Sequence, residues 1–388
     1  MVSVKQFEDD YHLWKQNTGS ELSKCPRLPL SGNLSAIKIP LYRFGSQPAH
    51  GSGAYGGWSC SAEEEPSLLD SLLLAQWEDC AWKGLLRYDV TACETKLISG
   101  HWKFVAQLNE AWKSKCFTEL EENKAPLQKL DPFKFNRMKT RREELLFCVA
   151  SGEKAKSELI TLSAVPNDAN LIIINANPVE YGHVFLVPRN FYHQSCTLDA
   201  RSLEMATRVA VEINNCSFRA FYDCPTSSRA SHVYFQGCYF ANPLPVELVP
   251  AMPVCGDWQK RGMQICEIAD YPIKALLFDG NDNLKGLVNL VSEICSYLQD
   301  QETPFSLLIS GCGTKMFLFP QVRTPATECD HFSAWQCGGH FVFKGRHDFD
   351  QVTEASLAKH LSTVSLEDDA FQSVKQLCCS VASNKLVS

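Results

Sequence analysis

The chain has little of what usually marks a nucleic-acid, membrane or metal protein. No run of five or more Lys or Arg occurs, and the densest basic stretch, "KTRREE" at 139–144, carries its own acids. No nucleic-acid partner is therefore expected. No apolar run reaches the length of about 18 residues that a membrane-spanning helix needs, so no membrane association is expected either. A Cys-x-x-Cys pair is absent, which removes zinc-site spacing, and no metal or other cofactor is implied. The phosphate-loop spacing G-x-x-x-x-G-K is missing too. Charge is modest, with 21% charged residues and a net charge of −7.

Cysteine, by contrast, is abundant: 18 in 388 residues. These cysteines are spread along the whole chain, and several (Cys148, Cys238, Cys295) sit inside apolar runs. The opening "MVSVKQFEDDYHLWK" is too polar for the apolar centre of a secretory leader. Free thiols in a reducing compartment are expected, the cytoplasm first and the nucleus second. At 45% hydrophobic residues the chain is an ordinary globular protein, long enough for a large core.

Residues 1–65 read as an N-terminal arm and loop, partly disordered, because "NTGSELSKCPRLPLSGNLS" and the Gly/Ser-rich "SQPAHGSGAYGGWSC" are full of turn formers. A helix follows over "SLLDSLLLAQWEDCAWKG", with Ser67 as N-cap and Gly84 near its end. "FVAQLNE" and "ELLFCVA" read as strands. "NLIIINANPVEYGHVFLVP" reads as a hairpin with Pro178 and Gly182 in the turn. "DARSLEMATRVAVEIN" and "LKGLVNLVSEICSYLQDQ" have helical spacing, and "PFSLLISGCGTKMFLFPQ" is strand–turn–strand. Hairpins dominate over βαβ alternation, so the class is α+β. The main domain is expected over 66–345, with hairpin-rich halves at about 144–240 and 270–345, and a helical segment over 346–388.

The stretch "ASHVYFQGCYF" at 230–240 holds the sharpest functional signal. As a strand it sets His232, Tyr234 and Gln236 on one face. Polar groups on an apolar strand face a cleft or pair with one another, since an unpaired buried one costs about 1–3 kcal/mol. His183 and Asn175 in the preceding hairpin face a site or serve as satisfied core groups; the residues alone leave both readings open.

In order along the chain, "LLDSLLLAQWED", "RYDVTACETK", "FVAQLNE", "FNRMK", "INANPVEYGHVFLVP", "HVYFQGCYFANPLPVE", "LLISGCGTKMFLFPQ" and "AWQCGGHFVFK" resemble the plant GDP-L-galactose phosphorylases and, more distantly, the animal GDP-D-glucose phosphorylases. The resemblance implies a histidine-triad-like, galactose-1-phosphate uridylyltransferase-like fold of antiparallel sheets flanked by helices. It also implies a reaction. A histidine takes GMP from a GDP-hexose and releases hexose 1-phosphate, then phosphate removes the GMP as GDP, a step of ascorbate biosynthesis. The ligand is then a guanine nucleotide or GDP-hexose, and the partner is a second copy or an active paralogue.

The family strand reads H-L-H-F-Q, its second histidine being the nucleophile. Here His232 and Gln236 match, but Tyr234 stands in the nucleophile's position. A phenol titrates near 10, so about one part in a thousand is phenolate at pH 7. Asn136 and Lys139 match the family's nucleotide-binding stretch, though Arg137 replaces an aromatic residue. The loop that reads N-S-L-G-A-F-A-T-I-N in the family is "DCPTSSRAS" here, bringing in Pro225, which removes a backbone donor, and Arg229, a potential phosphate ligand. Ala111-Trp112 and Gln336 depart from the family pattern as well. The sequence thus points to a divergent GDP-L-galactose phosphorylase-like protein impaired in the family reaction. The alternative is an enzyme redirected to use His232 or His183.

Overall fold

The computed structural model describes residues 38–45, 66–112, 142–188, 197–224, 233–254, 263–280, 283–323 and 332–387. Apart from 38–45, the expected N-terminal arm lies outside the described residues. The chain opens with strand β1 (Lys38–Phe44), helix α1 (Leu68–Trp82), β2 (Glu94–Leu97) and β3 (Val105–Leu108). Next come β4 (Leu145–Ser151), β5 (Lys156–Thr161), β6 (Asn170–Ile174) and β7 (Tyr181–Val187). Helix α2 (Ala200–Ile213) leads to β8 (Phe218–Asp223), β9 (Phe235–Tyr239), β10 (Ala251–Pro253), β11 (Gln264–Ile268) and β12 (Leu276–Asp279). Helix α3 (Leu284–Asp300), β13 (Phe305–Ser310), β14 (Lys315–Pro320), α4 (Ala334–Cys337) and β15 (His340–Phe343) follow. Three helices complete the order: α5 (Arg346–Gln351), α6 (Glu354–Val364) and α7 (Asp368–Val387).

Both hairpin-rich halves join one twelve-stranded sheet, ordered β10-β11-β12-β14-β13-β8-β9-β7-β6-β4-β1-β5. Within it only β1 and β4 pair in parallel. A smaller sheet, β15-β3-β2, stands apart from it.

The large sheet is buried on both faces, which is why its central strands read as unbroken apolar runs. Helices α1, α2, α3 and α7 cover one face, closing over Val184, Leu186, Phe235, Leu307 and Leu318. The opposite face carries two clusters. One joins β8, β9 and β11–β14 to the small sheet and to α4, α5 and α6. The other gathers Phe185, Val187, Leu171, Ile173 and Cys148 at the far end. Helix α1 begins where expected, the Ser67 hydroxyl accepting the Asp70 N–H at 3.0 Å. It buries Leu69, Leu73, Trp77 and Cys80, one stripe at helical spacing.

Three local expectations change. Strand β9 starts at Phe235, so Tyr234 precedes the ladder, and His232 lies outside the described residues. Gly182 belongs to β7 rather than to the turn before it. Cys216 and Cys379 are disulfide-bonded, whereas ten cysteines among the described residues are free thiols. Sequence spacing carries no information on which thiols meet.

Gly182 has φ +68°, and a Cβ there would sit 2.5 Å from the Tyr239 ring. That ring cannot swing away freely, because the Tyr239 hydroxyl donates to the buried Asp70 carboxylate at 2.7 Å. The irregular register between β7 and β9 falls at the same place. Gly182→Ala is therefore expected to lower the unfolding free energy by about 2–3 kcal/mol in urea titrations.

Candidate active site

The two clusters on the second sheet face meet at His183. Its ring centroid lies 6.2 Å from that of Phe185, in the far cluster, and 5.8 Å from that of Phe221, in the near one. The register sets Phe185 and Phe221 on either side of Gln236, so β7, β9 and β8 present their side chains here together.

His183 is 1% exposed, and both ring nitrogens are engaged. The Val179 N–H donates to Nδ1 at 2.9 Å. Nδ1 is then the unprotonated nitrogen, and Nε2–H donates to the Gln236 Oε1 at 3.1 Å. The Asn175 amide nitrogen lies 3.3 and 3.5 Å from the two ring nitrogens, against the ring rather than in line with one lone pair. Asn175 also closes its own turn, accepting the Asn177 N–H through Oδ1 at 2.9 Å. Burial pushes the imidazole down to about 3, with the Gln236 bond opposing that shift. His183 is thus a neutral bridge between the turn at 175–180 and strand β9.

That turn is tied down from outside as well. The Arg87 N–H donates to the Ala176 carbonyl at 2.9 Å, and the Tyr88 hydroxyl donates to the Pro178 carbonyl at 2.7 Å. The "RYDV" and "NPVEYGH" stretches are therefore one structural unit, 90 residues apart in the chain.

Because Oε1 of Gln236 faces His183, its NH2 group points elsewhere, and it has no partner among the described residues. Tyr234 is partly exposed and stacks edge-to-face on Phe185 at 5.8 Å. The structure brings together Asn175, His183, Gln236 and Tyr234. His232, Arg229, Asn136 and Lys139 lie outside the described residues.

Two features escaped the sequence reading. The first is Asp223, the last residue of β8, two residues beyond Phe221, the strand partner of Gln236. Its carboxylate accepts the Ala334 N–H at 2.8 Å, and burial pushes its pKa up to about 6. An aspartate in a polar loop gave no hint of this, since the burial comes from α4, more than a hundred residues later. The second is a group further along β9, where Glu180 and His340 face each other. Burial raises Glu180 to about 7 and lowers His340 to about 3.

Comparison with known proteins agrees with this architecture. The family model for the N-terminal domain of GDPGP1-like proteins matches residues 68–238, and that for the C-terminal domain matches 245–385. The chain is 35% identical over 360 residues to GDP-L-galactose phosphorylase 1 of Arabidopsis thaliana, covering 89% of this chain and 80% of that protein. It is 26% identical to human GDP-D-glucose phosphorylase 1, covering 82% of this chain and 86% of that one. Among solved structures, yeast Ap4A phosphorylase Apa2 in complex with AMP shares the fold, with a TM-score of 0.50 at 15% identity over 77% of this chain and 96% of that one. The fold is thus α+β and histidine-triad-like.

A histidine whose folded pKa lies near 3 takes up its proton in the unfolded chain first, so it costs stability as pH falls below about 6.5. The expected result is that the His183 ring nitrogens show no titration between about pH 8 and pH 4.5 in nitrogen-15 NMR. A His183 signal that moved with an apparent pKa near 6.5 would show the ring to be solvated rather than a buried neutral bridge.

Proposed function

The chain belongs to the GDPGP1-like family, and on that premise we propose that it binds a guanine nucleotide sugar but is impaired in the family's phosphorolysis. The observation that carries this reading is Tyr234. It stands two residues before Gln236, beside the His183 bridge, partly exposed against Phe185. The relatives are GDP-L-galactose and GDP-D-glucose phosphorylases. Such chemistry needs a nitrogen that attacks phosphorus while neutral and leaves readily when phosphate arrives. A phenol is almost wholly protonated at neutral pH, and its phosphodiester is a sluggish donor for the second step.

The rest of the site supports binding. The Gln236 NH2 offers a hydrogen bond without adding charge, held in place by the neutral Asn175–His183 pair behind it. A substitute role for His183 as base or nucleophile finds no support in its geometry, because Nδ1 is taken by Val179 and Nε2 carries the proton given to Gln236. The reading of a redirected enzyme then rests on His232. Asn136 and Lys139 are proposed to hold the nucleotide, as the resemblance implies, and Arg229, which the family loop lacks, to compensate as a phosphate ligand.

Labelled GDP-L-galactose and phosphate test this directly. The expected outcome is no guanylylated protein and turnover well below the roughly 1–1000 per second of ordinary enzymes. Tyr234→His alone should leave turnover at least about a hundredfold short of that range, because nucleophile and positioning groups act jointly. Fast turnover by the unaltered chain would move the redirected reading to first place.

Asp223 adds a second test. Above its pKa of about 6 it sets a negative charge two residues along β8 from Phe221, the strand partner of Gln236; below that it is neutral. Asp223→Asn keeps an acceptor for the Ala334 N–H. It should tighten GDP binding by about three- to tenfold at pH 8, and change it little at about pH 5, where the carboxyl is already protonated. Isothermal calorimetry at the two pH values decides this.

A further inference from the structure

About 13 Å beyond Gln236 along β9, at ~3.3 Å per residue, the chain reaches Phe240 and the wall of a cavity of about 320 Å³. The small sheet forms the floor. Its strands alternate side chains between faces, so Ala106, Leu108 and Phe341 pack into the near cluster. Leu97, Val105 and His340 form one cross-strand row on the other face, and Thr95 and Gln107 begin the next. Glu180 closes one side, Val90, Thr91 and Cys93 a second, and Phe240, Asn242 and Leu244 a third.

Two polar atoms lining this space are buried with no hydrogen bond among the described residues: Oε1 of Gln107, a residue 1% exposed, and Nε2 of His340, a residue 2% exposed. Nε2 of His340 lies 3.7 Å from Oε1 of Glu180, too far for a direct bond and close enough for one oxygen to serve both. Buried polar groups are nearly always satisfied, so these atoms mark where a guest's polar groups belong.

The lining also defines the guest. Among the described lining residues Glu180 is the one acid and Lys96 the one base, and Lys96 is already engaged, donating to the Asp350 carbonyl and lying over the Phe349 ring. A phosphate would face Glu180 with no free cation among these described residues to match it. A flat base would need parallel rings, but Phe240 and His340 stand edge-to-face at 5.3 Å. What remains is a carboxyl, an amide oxygen, an imidazole and hydroxyls around an apolar wall, a mixture suited to groups that both donate and accept. The volume lies at the lower end of the roughly 300–1000 Å³ seen for ligand pockets.

We propose that this cavity, floored by Gln107 and His340 and walled by Glu180 and Phe240, is a binding site for an uncharged polyhydroxylated ring of hexose size. It holds whether or not Tyr234 supports group transfer, and free sugars test it without any nucleotide.

The test titrates the full chain with free L-galactose and D-glucose by saturation-transfer NMR, with inorganic phosphate and guanosine as comparison probes. At least one hexose should bind with a Kd of about 10 mM or tighter, and neither comparison probe should displace it. Gln107→Met and Glu180→Gln should each weaken that binding about tenfold or more, while the Gln107→Met melting temperature stays level or rises because an unpaired oxygen has gone. Should either variant fail to fold, Cys93 on the rim serves in the unaltered chain: bound hexose should slow alkylation of its thiol, read by mass spectrometry of its peptide. No hexose binding, binding equal in both folded variants, unslowed Cys93 alkylation, or displacement by guanosine would each overturn the proposal.

Discussion

The hydrogen bond from the Val179 N–H to Nδ1 of His183 holds the candidate site together. It fixes the imidazole tautomer, and the tautomer fixes which end of the Gln236 amide points at the ring. That in turn decides what Gln236 shows to the outside beside Tyr234. The bond can form because Asn175 folds the turn back on itself and because Arg87 and Tyr88 clamp its far side. A neutral histidine is what this arrangement needs. Burial at 1% exposure supplies that neutrality, since a charged ring here would lose its solvation with no anion beside it.

Much of this was legible in the sequence, for identifiable physical reasons. Helix α1, capped by Ser67, and the β6–β7 and β13–β14 hairpins rest on local signals, namely a cap, period and β-branched runs. Gln236, His183 and Asn175 stood out because polar side chains in apolar strands need partners, and they turned out to be one another's partners. The boundary of β9 was less legible. Nothing between His232 and Gln236 signals a strand start, and pairing with β7 and β8 alone sets the first ladder residue.

What could not be read were properties made by distant segments. Asp223 looks like a loop aspartate until α4 closes over it. Glu180 looks like a turn residue, and His340 like one polar residue in "GGHFVF", until the small sheet brings them to 3.7 Å. The small sheet itself pairs β3 with β15 in parallel across more than two hundred residues, a contact no local pattern announces. Its alternation then sorts "FVAQL" into apolar residues facing the core and Val105 and Gln107 facing the cavity.

The charge state of this region decides how it can treat a nucleotide sugar. His183 and His340 are held neutral by burial, and Glu180 and Asp223 are pushed toward neutrality by the same cause. All four shifts reduce charge along one face of β8 and β9, so a ligand here would meet shape and hydrogen-bond pattern more than ionic charge from these groups. Attraction for a phosphate would then come from other segments: Lys139 matches the family's nucleotide-binding stretch, and Arg229 is this chain's own departure from the family loop. The acids and the histidines also oppose each other in acid. Falling pH adds protons to the folded carboxyls first but to the unfolded imidazoles first, so the two pairs push stability in opposite directions between about pH 6.5 and pH 4.5.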